Sequence, residues 1–412
     1  MDDPHTDPTG PVFVCYREDD GLPLARDVAD ALRSVGVPVW FAPDDMGAGR
    51  FDRTFRRAVT AGLSGTVLVA TSGVAVSDFI QGVEAPLWKT LLDDPDFLFA
   101  VVNTATTDDG APDFRFPDEL IRHPGQRLSD FKHYATTDST WVDRMAREIA
   151  AARLRLLSDH GPQGVLSVEV TTRDAPHAGP SDWQLRSTIT PPTNGATVMG
   201  PPQADQVRRL TRELPKLAAG AGKRTVMVRG GMHLPVALTL GLSLPITRDV
   251  RVVVHDAAGN EWDSANGDGT ADLTTAPVDR MATPTGDGVA VLVDLVSRGK
   301  PTAAFGDLVD ELDVPGYVIA LASGGYLNET EGESTARRAA DLIADAAGLH
   351  DTSVVHLCVR TPAAVAVLLG RHLNTYRLSL YDLEDAADPP RYVHFTDARA
   401  NGPDGNILLE LT

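Results

Sequence analysis

The sequence predicts an α/β protein with at least two domains, and three observations support this. Apolar strand-like runs alternate with amphipathic helical segments from residue 12 onward, as in a parallel sheet covered by helices. The chain of 412 residues is longer than one hydrophobic core normally organises. A strand–helix–strand plan also occurs twice in the second half of the chain, which predicts two related halves there.

The first domain is predicted to span residues 11–158, after a flexible tail at residues 1–10. Its first helix places Val28 and Leu32 on one face and ends at Gly36, a typical stop residue. The predicted elements are, in order, strand 12–16, helix 22–36, strand 37–41, helix 51–62, strand 65–71, helical segment 77–90, strand 97–103 and helix 140–161. This order predicts a parallel sheet.

A linker at residues 159–164, which contains Gly161 and Pro162, is predicted to separate this domain from a second one at residues 165–412. The second domain begins with strand-like and helical segments at residues 165–173, 182–191 and 203–220.

The repeated plan lies within the second domain. Segments 225–256 and 354–382 each contain an apolar strand ending in Arg, a loop of small residues, an apolar helix with a Leu-Gly pair, and a strand ending in Asp. The repeat predicts two open α/β halves, at about residues 165–288 and 289–412.

Composition excludes several classes of function. A net charge of -20 argues against long nucleic acid as a partner, because such binding depends on Lys and Arg neutralising phosphates, while a small anionic ligand in a local basic pocket remains compatible. The acidic N-terminus lacks an apolar run, so no signal or transit peptide is predicted and the protein is expected in the cytoplasm. The longest apolar run, residues 232–246, is too short to cross a membrane and is predicted to be a buried helix.

Cys15 and Cys358 each lie in a strand-like run, so both are predicted to be small buried residues of the core. Neither suggests a disulfide or a metal ligand.

Residues 11 to about 158 resemble a TIR domain through three stretches: VFVCYREDD (12–20), PDDMGAGRFD (43–52) and SDFIQGVEAPLW (77–88). The resemblance implies a flavodoxin-like fold. In enzymatic TIR domains a glutamate early in the third stretch cleaves the nicotinamide–ribose bond of NAD⁺, so this catalytic role falls on Glu84. The glycine-bearing second stretch matches the loop with which TIR domains contact a neighbouring TIR domain.

One carboxylate is sufficient for this chemistry. Nicotinamide leaves as a neutral molecule from a cationic pyridinium, so the general acid of O-glycoside hydrolysis is unnecessary. A carboxylate can hold the ribose hydroxyls and stabilise the positive charge that develops at the anomeric carbon. Without the other two stretches, the simpler interpretation of Glu84 is the polar face of an amphipathic helix.

Pro86, two residues after the glutamate, leaves two alternatives for the local backbone. Either the helix kinks there, or a new helix begins with Pro86 in its first turn. The second alternative would place Glu84 near a helix N-terminus, where the macrodipole favours the ionised carboxylate.

The resemblance also implies a set of residues that bind NAD⁺ as substrate. Tyr16 and Arg17 end the first strand, at the edge where open α/β sheets bind ligands, although both also fit an ordinary surface position. Asp45 belongs to the glycine-bearing loop. Phe79 or Trp88 is expected to form the wall of the nicotinamide pocket. No resident cofactor and no metal are expected.

Residues 163–412 resemble a SAVED domain, a sensor of cyclic oligonucleotides built from two CARF-like, Rossmann-like halves. The resemblance rests on the repeat, including VRGGMH (228–233), VRTPAA (359–364) and the central ALASGGYLNET (320–330). Strand-to-helix loops of this kind can hold phosphate through backbone N–H groups and the helix dipole. Aromatic side chains near them can stack on bases, although ordinary packing is an equal alternative. The predicted ligand-binding residues are Arg229, Gly230, Gly231, Met232, Asp256, Trp262, Gly325, Tyr326, Arg360, Thr361 and Tyr381.

The two resemblances together imply a TIR-SAVED effector of CBASS antiphage defence. A cyclic oligonucleotide, with a cyclic triadenylate as the expected activator, would switch on NAD⁺ cleavage, and the protein would self-associate into ligand-induced oligomers or filaments. Two alternatives remain open on the sequence alone. The TIR domain could be a non-enzymatic adaptor that recruits a partner after ligand binding, or it could make a cyclic ADP-ribose signal.

Overall fold

The computed structural model describes residues 3–46, 51–121, 127–159, 162–173, 183–189, 200–267, 269, 272–279, 283–296, 301–322, 327–400 and 407–410. The chain forms two compact units, Met1–Pro162 with Asp182–Ser187, and Gln163–Ser181 with Thr188–Thr412. Both are mixed α/β structures with parallel sheets.

The first unit is a parallel sheet flanked by helices. Its elements are β1 (Val12–Cys15), α1 (Glu18–Ser34), β2 (Val39–Trp40), α2 (Ala42–Asp45), α3 (Phe51–Thr60), β3 (Gly65–Ala70), α4 (Ala85–Lys89), β4 (Leu98–Asn103), α5 (Phe116–Leu120), β5 (Lys132–Ala135) and α6 (Trp141–Leu156). The strand order is β2-β1-β3-β4-β5 with every neighbouring pair parallel. This 2-1-3-4-5 order occurs in doubly wound α/β folds, where ligands bind beyond the carboxyl ends of the strands at the point where the order reverses.

Aromatic packing fixes the sheet against its helices. The rings of Phe13, Trp40 and Phe55 lie within 4.7 to 5.6 Å of one another, centroid to centroid, and join β1, β2 and α3. Every residue of β3 is buried, as expected for a central strand covered on both faces.

The N-terminal segment differs from the predicted flexible tail. The amide of Asp7 donates to the carbonyl of Leu63 at 2.9 Å. Arg153 of α6 is buried and donates to the carbonyls of Thr9 and Gly10 at 2.7 and 2.8 Å. These contacts hold residues 5–10 on the first unit because the buried guanidinium needs acceptors that this segment supplies.

The second unit contains two sheets. Of the short strand β7 (Leu185–Thr188), only Thr188 belongs to the second unit. The other elements of the second unit are β6 (Val165–Thr171), α7 (Pro201–Gly220), β8 (Thr225–Arg229), α8 (Leu234–Ser243), β9 (Arg251–His255), β10 (Glu261–Asp263), β11 (Leu273–Pro277), β12 (Val289–Asp294), α9 (Pro301–Leu312), β13 (Gly316–Leu321), α10 (Gly332–Leu349), β14 (Val354–Arg360), α11 (Ala363–Gly370), β15 (Arg377–Glu384), β16 (Arg391–Ala400) and β17 (Ile407–Glu410). One sheet contains β10-β9-β8-β6 in that order, and the other is β11-β13-β12-β14-β15-β16-β17.

The two sheets divide the second unit near residue 268 rather than at residue 288. Strand β11 pairs antiparallel with β13, so residues 273–277 belong to the second sheet. The strand–helix repeat predicted two halves but not this boundary, because β11 lies outside the repeated segment and only its pairing decides its sheet.

Helices α8 and α11, the repeated apolar helices, pack against each other through glycines. A Cβ atom on Gly241 would lie 1.9 Å from the carbonyl oxygen of Val367, and one on Gly370 would lie 2.2 Å from that of Leu238. No side chain fits at either position, so the Leu-Gly pairs in the sequence mark a close backbone approach. Residues Pro235–Ser243 are all buried, which confirms the predicted buried helix.

No helix among the described residues is long and apolar enough to cross a membrane.

The helix contact gives a stability prediction. Gly241→Ala should lower the free energy of unfolding of the second unit by about 1–3 kcal/mol, because the obstructing atom is backbone and cannot rotate away. Gly306→Ala in α9 is the matched control, since a Cβ there meets nothing within 4 Å. That control should be neutral or stabilising by up to about 1 kcal/mol, because alanine is the better helix former. Urea denaturation checks both, and equal stability of the two variants would contradict the close contact.

Candidate functional site

A cavity of about 390 Å³ opens at the carboxyl edge of the first sheet, next to the end of β1. It lies where the strand order reverses, since β2 and β3 flank β1 on opposite sides. Its lining consists of Phe13, Val14, Tyr16, Arg17, Glu18, Asp19, Ala42, Ser77, Phe79, Ile80 and Glu84. Four residues predicted from the sequence, Tyr16, Arg17, Phe79 and Glu84, therefore share one cavity.

Glu84 ends a π-helical turn, Ile80–Glu84, that runs directly into α4. Pro86 occupies the first turn of α4, so the second of the two alternatives for this proline is the one observed. Gln81 holds the turn in place because its amide donates to the carbonyls of Val74 and Leu120 at 3.1 and 2.8 Å. Such π turns are frequent at functional sites.

The Glu84 carboxyl is buried, with 5% of the residue exposed. Burial raises its pKa from 4.5 to about 7, and a hydrogen bond from Cys15 opposes the increase. The donor is the Cys15 thiol, whose sulfur lies 3.0 Å from Glu84 Oε2. On the sequence alone, the second alternative for Pro86 implied that the helix macrodipole would favour the ionised form. The net shift has the opposite direction, because desolvation disfavours the charged form of a buried carboxyl.

Arg17 is held at the cavity by an acidic network. Its Nη2 lies 2.6 Å from Asp19 Oδ2, and its Nη1 lies 3.9 Å from Asp20 Oδ2. Asp20 is itself fixed, since it accepts hydrogen bonds from the Thr71 hydroxyl and the Gly73 amide at 2.9 and 3.0 Å. A Cβ on Gly73 would lie 2.2 Å from Arg17 Nη1, so glycine leaves the space that the guanidinium occupies.

Two of the three aromatic residues that line the cavity, Tyr16 and Phe79, were predicted from the sequence, and their surroundings differ. The Tyr16 ring packs against Phe41 at 5.5 Å, and burial together with the charges of Glu18 and Glu84 raises the pKa of Tyr16 to about 12. The Tyr16 hydroxyl is therefore protonated at neutral pH. Phe79 lines the cavity wall.

Asp45 and Trp88, also predicted to bind substrate, do not line the cavity. Asp45 accepts a hydrogen bond from the Phe41 amide at 2.6 Å and lies 3.5 Å from Arg33, which fixes the α2 turn. Trp88 is fully buried, and its ring centroid lies 5.2 Å from that of Phe99. This packing anchors α4, the helix that directly follows Glu84. Residues 47–50, which include the two loop glycines, lie outside the described residues.

In the second unit, the two repeated arginines occupy equivalent positions. Arg229 ends β8 and is in register with Glu169 of β6, with Nε 3.1 Å from the carboxylate. Arg360 ends β14 and is in register with Asp294 of β12, at 3.2 Å. Each arginine is therefore part of an ion pair at the carboxyl edge of its sheet. Neither acid was predicted from the sequence, although Glu169 and Asp294 are the only charged residues of β6 and β12.

The loop after β8 is fixed by glycine and by a buried polar contact. Gly230 has φ of +127°, and a Cβ there would lie 2.0 Å from the Val170 carbonyl. The carbonyl of Gly231 accepts the amides of Thr172 and Arg173 at 2.9 and 3.1 Å. The Thr172 hydroxyl accepts the His233 amide at 2.8 Å and also contacts His233 Nδ1 at 2.9 Å. Neither Thr172 nor His233 was predicted, because their contact joins segments that are 61 residues apart in the chain.

Four of the predicted nucleotide-binding residues, Met232, Asp256, Trp262 and Tyr381, are buried or hydrogen-bonded within the protein. Met232 is buried, and Trp262 is buried with its indole N–H donating to Asp256 at 3.0 Å. Tyr381 is buried, with its hydroxyl 3.1 Å from His356 Nδ1. Neither aromatic ring presents a face to a base in this conformation, because its surface is occupied by core packing.

The remaining predicted residues follow β13 and β14 in the sequence. Thr361, directly after Arg360, is 5% exposed, and its hydroxyl has no hydrogen-bond partner within the described part of the chain. Gly325 and Tyr326 lie outside the described residues.

Comparison with known proteins identifies part of the chain. Residues 207–395 match the family model named SAVED, described as the SMODS-associated and fused to various effectors sensor domain. The search of curated proteins found no match.

Several solved structures resemble this chain at low identity. The Acinetobacter baumannii Cap4 SAVED/CARF-domain containing receptor with the cyclic trinucleotide 2'3'3'-cAAA has 15% identity and a TM-score of 0.44, over 86% of each chain. The same receptor with 3'3'3'-cAAA has 12% identity and a TM-score of 0.44, also over 86% of each chain. The Moraxella osloensis Cap4 receptor has 13% identity and a TM-score of 0.40, over 85% of this chain and 86% of that one. The two cyclic trinucleotides are ligands of the Acinetobacter baumannii receptor. The family match places a SAVED sensor domain at residues 207–395, within the second unit.

Proposed function

We propose that this protein is an NAD⁺ glycohydrolase activated by a cyclic oligonucleotide, with a TIR-type catalytic unit and a SAVED sensor, acting in CBASS antiphage defence. The observation that carries the enzymatic part is Glu84, a buried carboxylate at a cavity on the carboxyl edge of a doubly wound sheet. The sensor part rests on the SAVED match. The family is described as a sensor domain fused to various effectors, and a sensor joined to a catalytic unit in one chain fits that description.

The cavity suits the reacting end of NAD⁺. Its volume of about 390 Å³ is at the lower end of small-molecule pockets, so it fits the nicotinamide riboside portion rather than the whole dinucleotide. Phe79 provides an apolar wall for the nicotinamide ring. Arg17, held by Asp19 and Asp20, provides a cation for the phosphates.

Glu84 would act as the ionised carboxylate. It would hold the ribose hydroxyls and stabilise the positive charge at the anomeric carbon as neutral nicotinamide leaves, and the low dielectric of its surroundings strengthens that interaction. Water then completes hydrolysis to ADP-ribose. Because the pKa of Glu84 is about 7, the rate should increase as pH rises through about 7.

The sensor would bind its ligand at the loops that follow β8 and β14. Arg229 and Arg360 lie at equivalent strand ends, and each is about one-fifth exposed, with 19% of its side chain accessible. Their acidic partners hold the guanidinium groups at the loop where helix α8 or α11 begins. Cations and helix N-termini together favour phosphate groups.

Ligand binding would promote self-association, and the glycine-bearing loop of one protomer would complete the active site of the next. A heterologous contact of this kind can extend into a filament.

Glu84→Gln should abolish NAD⁺ cleavage, with a loss of about 10²-fold or more, because the amide retains the shape but lacks the charge. Nicotinamide release by the purified protein with cyclic triadenylate is the measurement. Glu119→Gln, an exposed carboxylate on α5, is the matched control and should retain full activity. Substantial turnover by Glu84→Gln would rule out the catalytic assignment. If the wild type is inactive with every cyclic nucleotide, the adaptor alternative is favoured.

The pH dependence of the unfolding free energy of Glu84→Gln gives a second test, which requires no enzymatic activity. The folded protein keeps a proton on Glu84 between pH 4.5 and about 7, where the unfolded chain has released it, so this residue makes stability fall as pH rises through that interval. The stability of Glu84→Gln relative to the wild type should therefore increase across that interval, by up to about 3 kcal/mol. Denaturation at several pH values checks this, and a constant difference would contradict the raised pKa.

Arg229→Ala and Arg360→Ala should each weaken binding of cyclic triadenylate by about tenfold to a hundredfold, because each removes a charge-assisted contact with phosphate. Arg251→Ala and Arg377→Ala are matched controls. Both arginines begin a strand, at the opposite edge of the sheets, and both pair with an aspartate. Calorimetry with 2'3'3'- and 3'3'3'-linked triadenylate measures affinity. Equal effects of all four variants would place the ligand elsewhere.

A further inference from the structure

The Glu84 carboxylate has a contact that lies outside the cavity. The Cys15 sulfur lies 3.0 Å from Glu84 Oε2, although the two residues are 69 positions apart in the chain. Cys15 ends β1 and is fully buried, and it is not among the residues that line the cavity. It therefore contacts the carboxylate from the protein side, opposite to where a substrate would bind.

The thiol is a permanent donor in this contact. Burial, followed by the charge of Glu84, raises the pKa of Cys15 well above its usual value, so the proton stays on sulfur at physiological pH. The ionised carboxylate can only accept hydrogen bonds. The bond consequently runs from the Cys15 S–H to Glu84 Oε2.

Cys15 is also the one hydrogen-bond donor to the Glu84 side chain among the described residues. On the side away from the cavity the surroundings are apolar, since Cys15, Ile80, Ala85 and Trp88 belong to the same buried cluster. On the cavity side, Tyr16 is the titratable neighbour whose pKa is raised by burial and also by the charge of Glu84. An arginine or lysine in this position would neutralise the charge that catalysis needs. A purely apolar neighbour would leave the carboxylate without a donor and more easily protonated. A thiol avoids both effects, because it is an uncharged, weak hydrogen-bond donor.

We infer that Cys15 is a positioning residue for Glu84, which orients the carboxylate toward the cavity and favours its ionised form. This inference rests on the proposed catalytic role of Glu84. Cys15 does not react itself. It is fully buried, its thiol remains protonated, and a side chain outside the cavity wall does not reach the anomeric carbon.

The test compares Cys15→Ala with Cys15→Ser. Alanine removes the donor, so the pKa of Glu84 should increase by about one unit, a tenfold change in proton affinity. The acid limb of the pH profile of kcat/KM for NAD⁺ cleavage should move upward by the same amount. Serine supplies a hydroxyl donor, so Cys15→Ser should keep the limb at or below its wild-type position. Cys358→Ala is the matched control, because Cys358 is equally buried in a strand of the second unit.

The Glu84 pKa is measured directly by ¹³C NMR of labelled glutamate carboxyls, with Glu84→Gln identifying the resonance. This readout separates the inference from the proposed function, since it requires no turnover. A protein that cleaves no NAD⁺ but shows the higher pKa in Cys15→Ala would retain the coupling and lose the enzymatic proposal. An unchanged pKa in Cys15→Ala, or a Cys15→Ser variant that titrates like Cys15→Ala, would overturn the positioning role. Thermal unfolding of each variant confirms that the first unit is folded.

Discussion

The central constraint in this molecule is the burial of one carboxylate at the carboxyl edge of the first sheet. Removing a charged group from water is costly unless partners compensate, and Glu84 has a single thiol donor within the described residues. The cost appears as a pKa raised to about 7, so the carboxyl is near its midpoint of ionisation at neutral pH. The π turn, the amide of Gln81 and the buried Trp88 all fix the backbone that carries it. Buried carboxyls with perturbed pKa values cluster at functional sites.

The second unit has an ion-paired arginine at the carboxyl end of one strand in each of its two sheets. Two ion pairs, Arg229 with Glu169 and Arg360 with Asp294, occupy corresponding register positions of two sheets. Glycines bring α8 and α11 into backbone contact, so the loops at their N-terminal ends belong to one packed structure. Removing the charge from either arginine also leaves an acid without its partner, which is why the controls must be ion-paired arginines as well.

The sequence predicted the alternating α/β plan, the buried helix at residues 232–246 and the grouping of Tyr16, Arg17, Phe79 and Glu84, because each depends on local pattern or on matched stretches. It did not predict β5, whose four residues, KHYA, are too short and too polar to show an apolar run. Contacts between distant segments were also missed, including Cys15 with Glu84 and Arg153 with Gly10. The aromatic residues Trp262 and Tyr381 were expected at the ligand, whereas packing against neighbouring elements buries them.

The measurement that tests the account most directly is nicotinamide release from NAD⁺ by the purified protein, with and without each member of a panel of cyclic di-, tri- and tetranucleotides. The account predicts negligible release without ligand, strong release with a cyclic trinucleotide, and a rate that increases with pH through about 7, the pKa of Glu84. Release that is independent of every cyclic nucleotide would contradict the coupling of sensor to enzyme. Tight binding of a cyclic nucleotide with no release at any pH would contradict the enzymatic assignment itself.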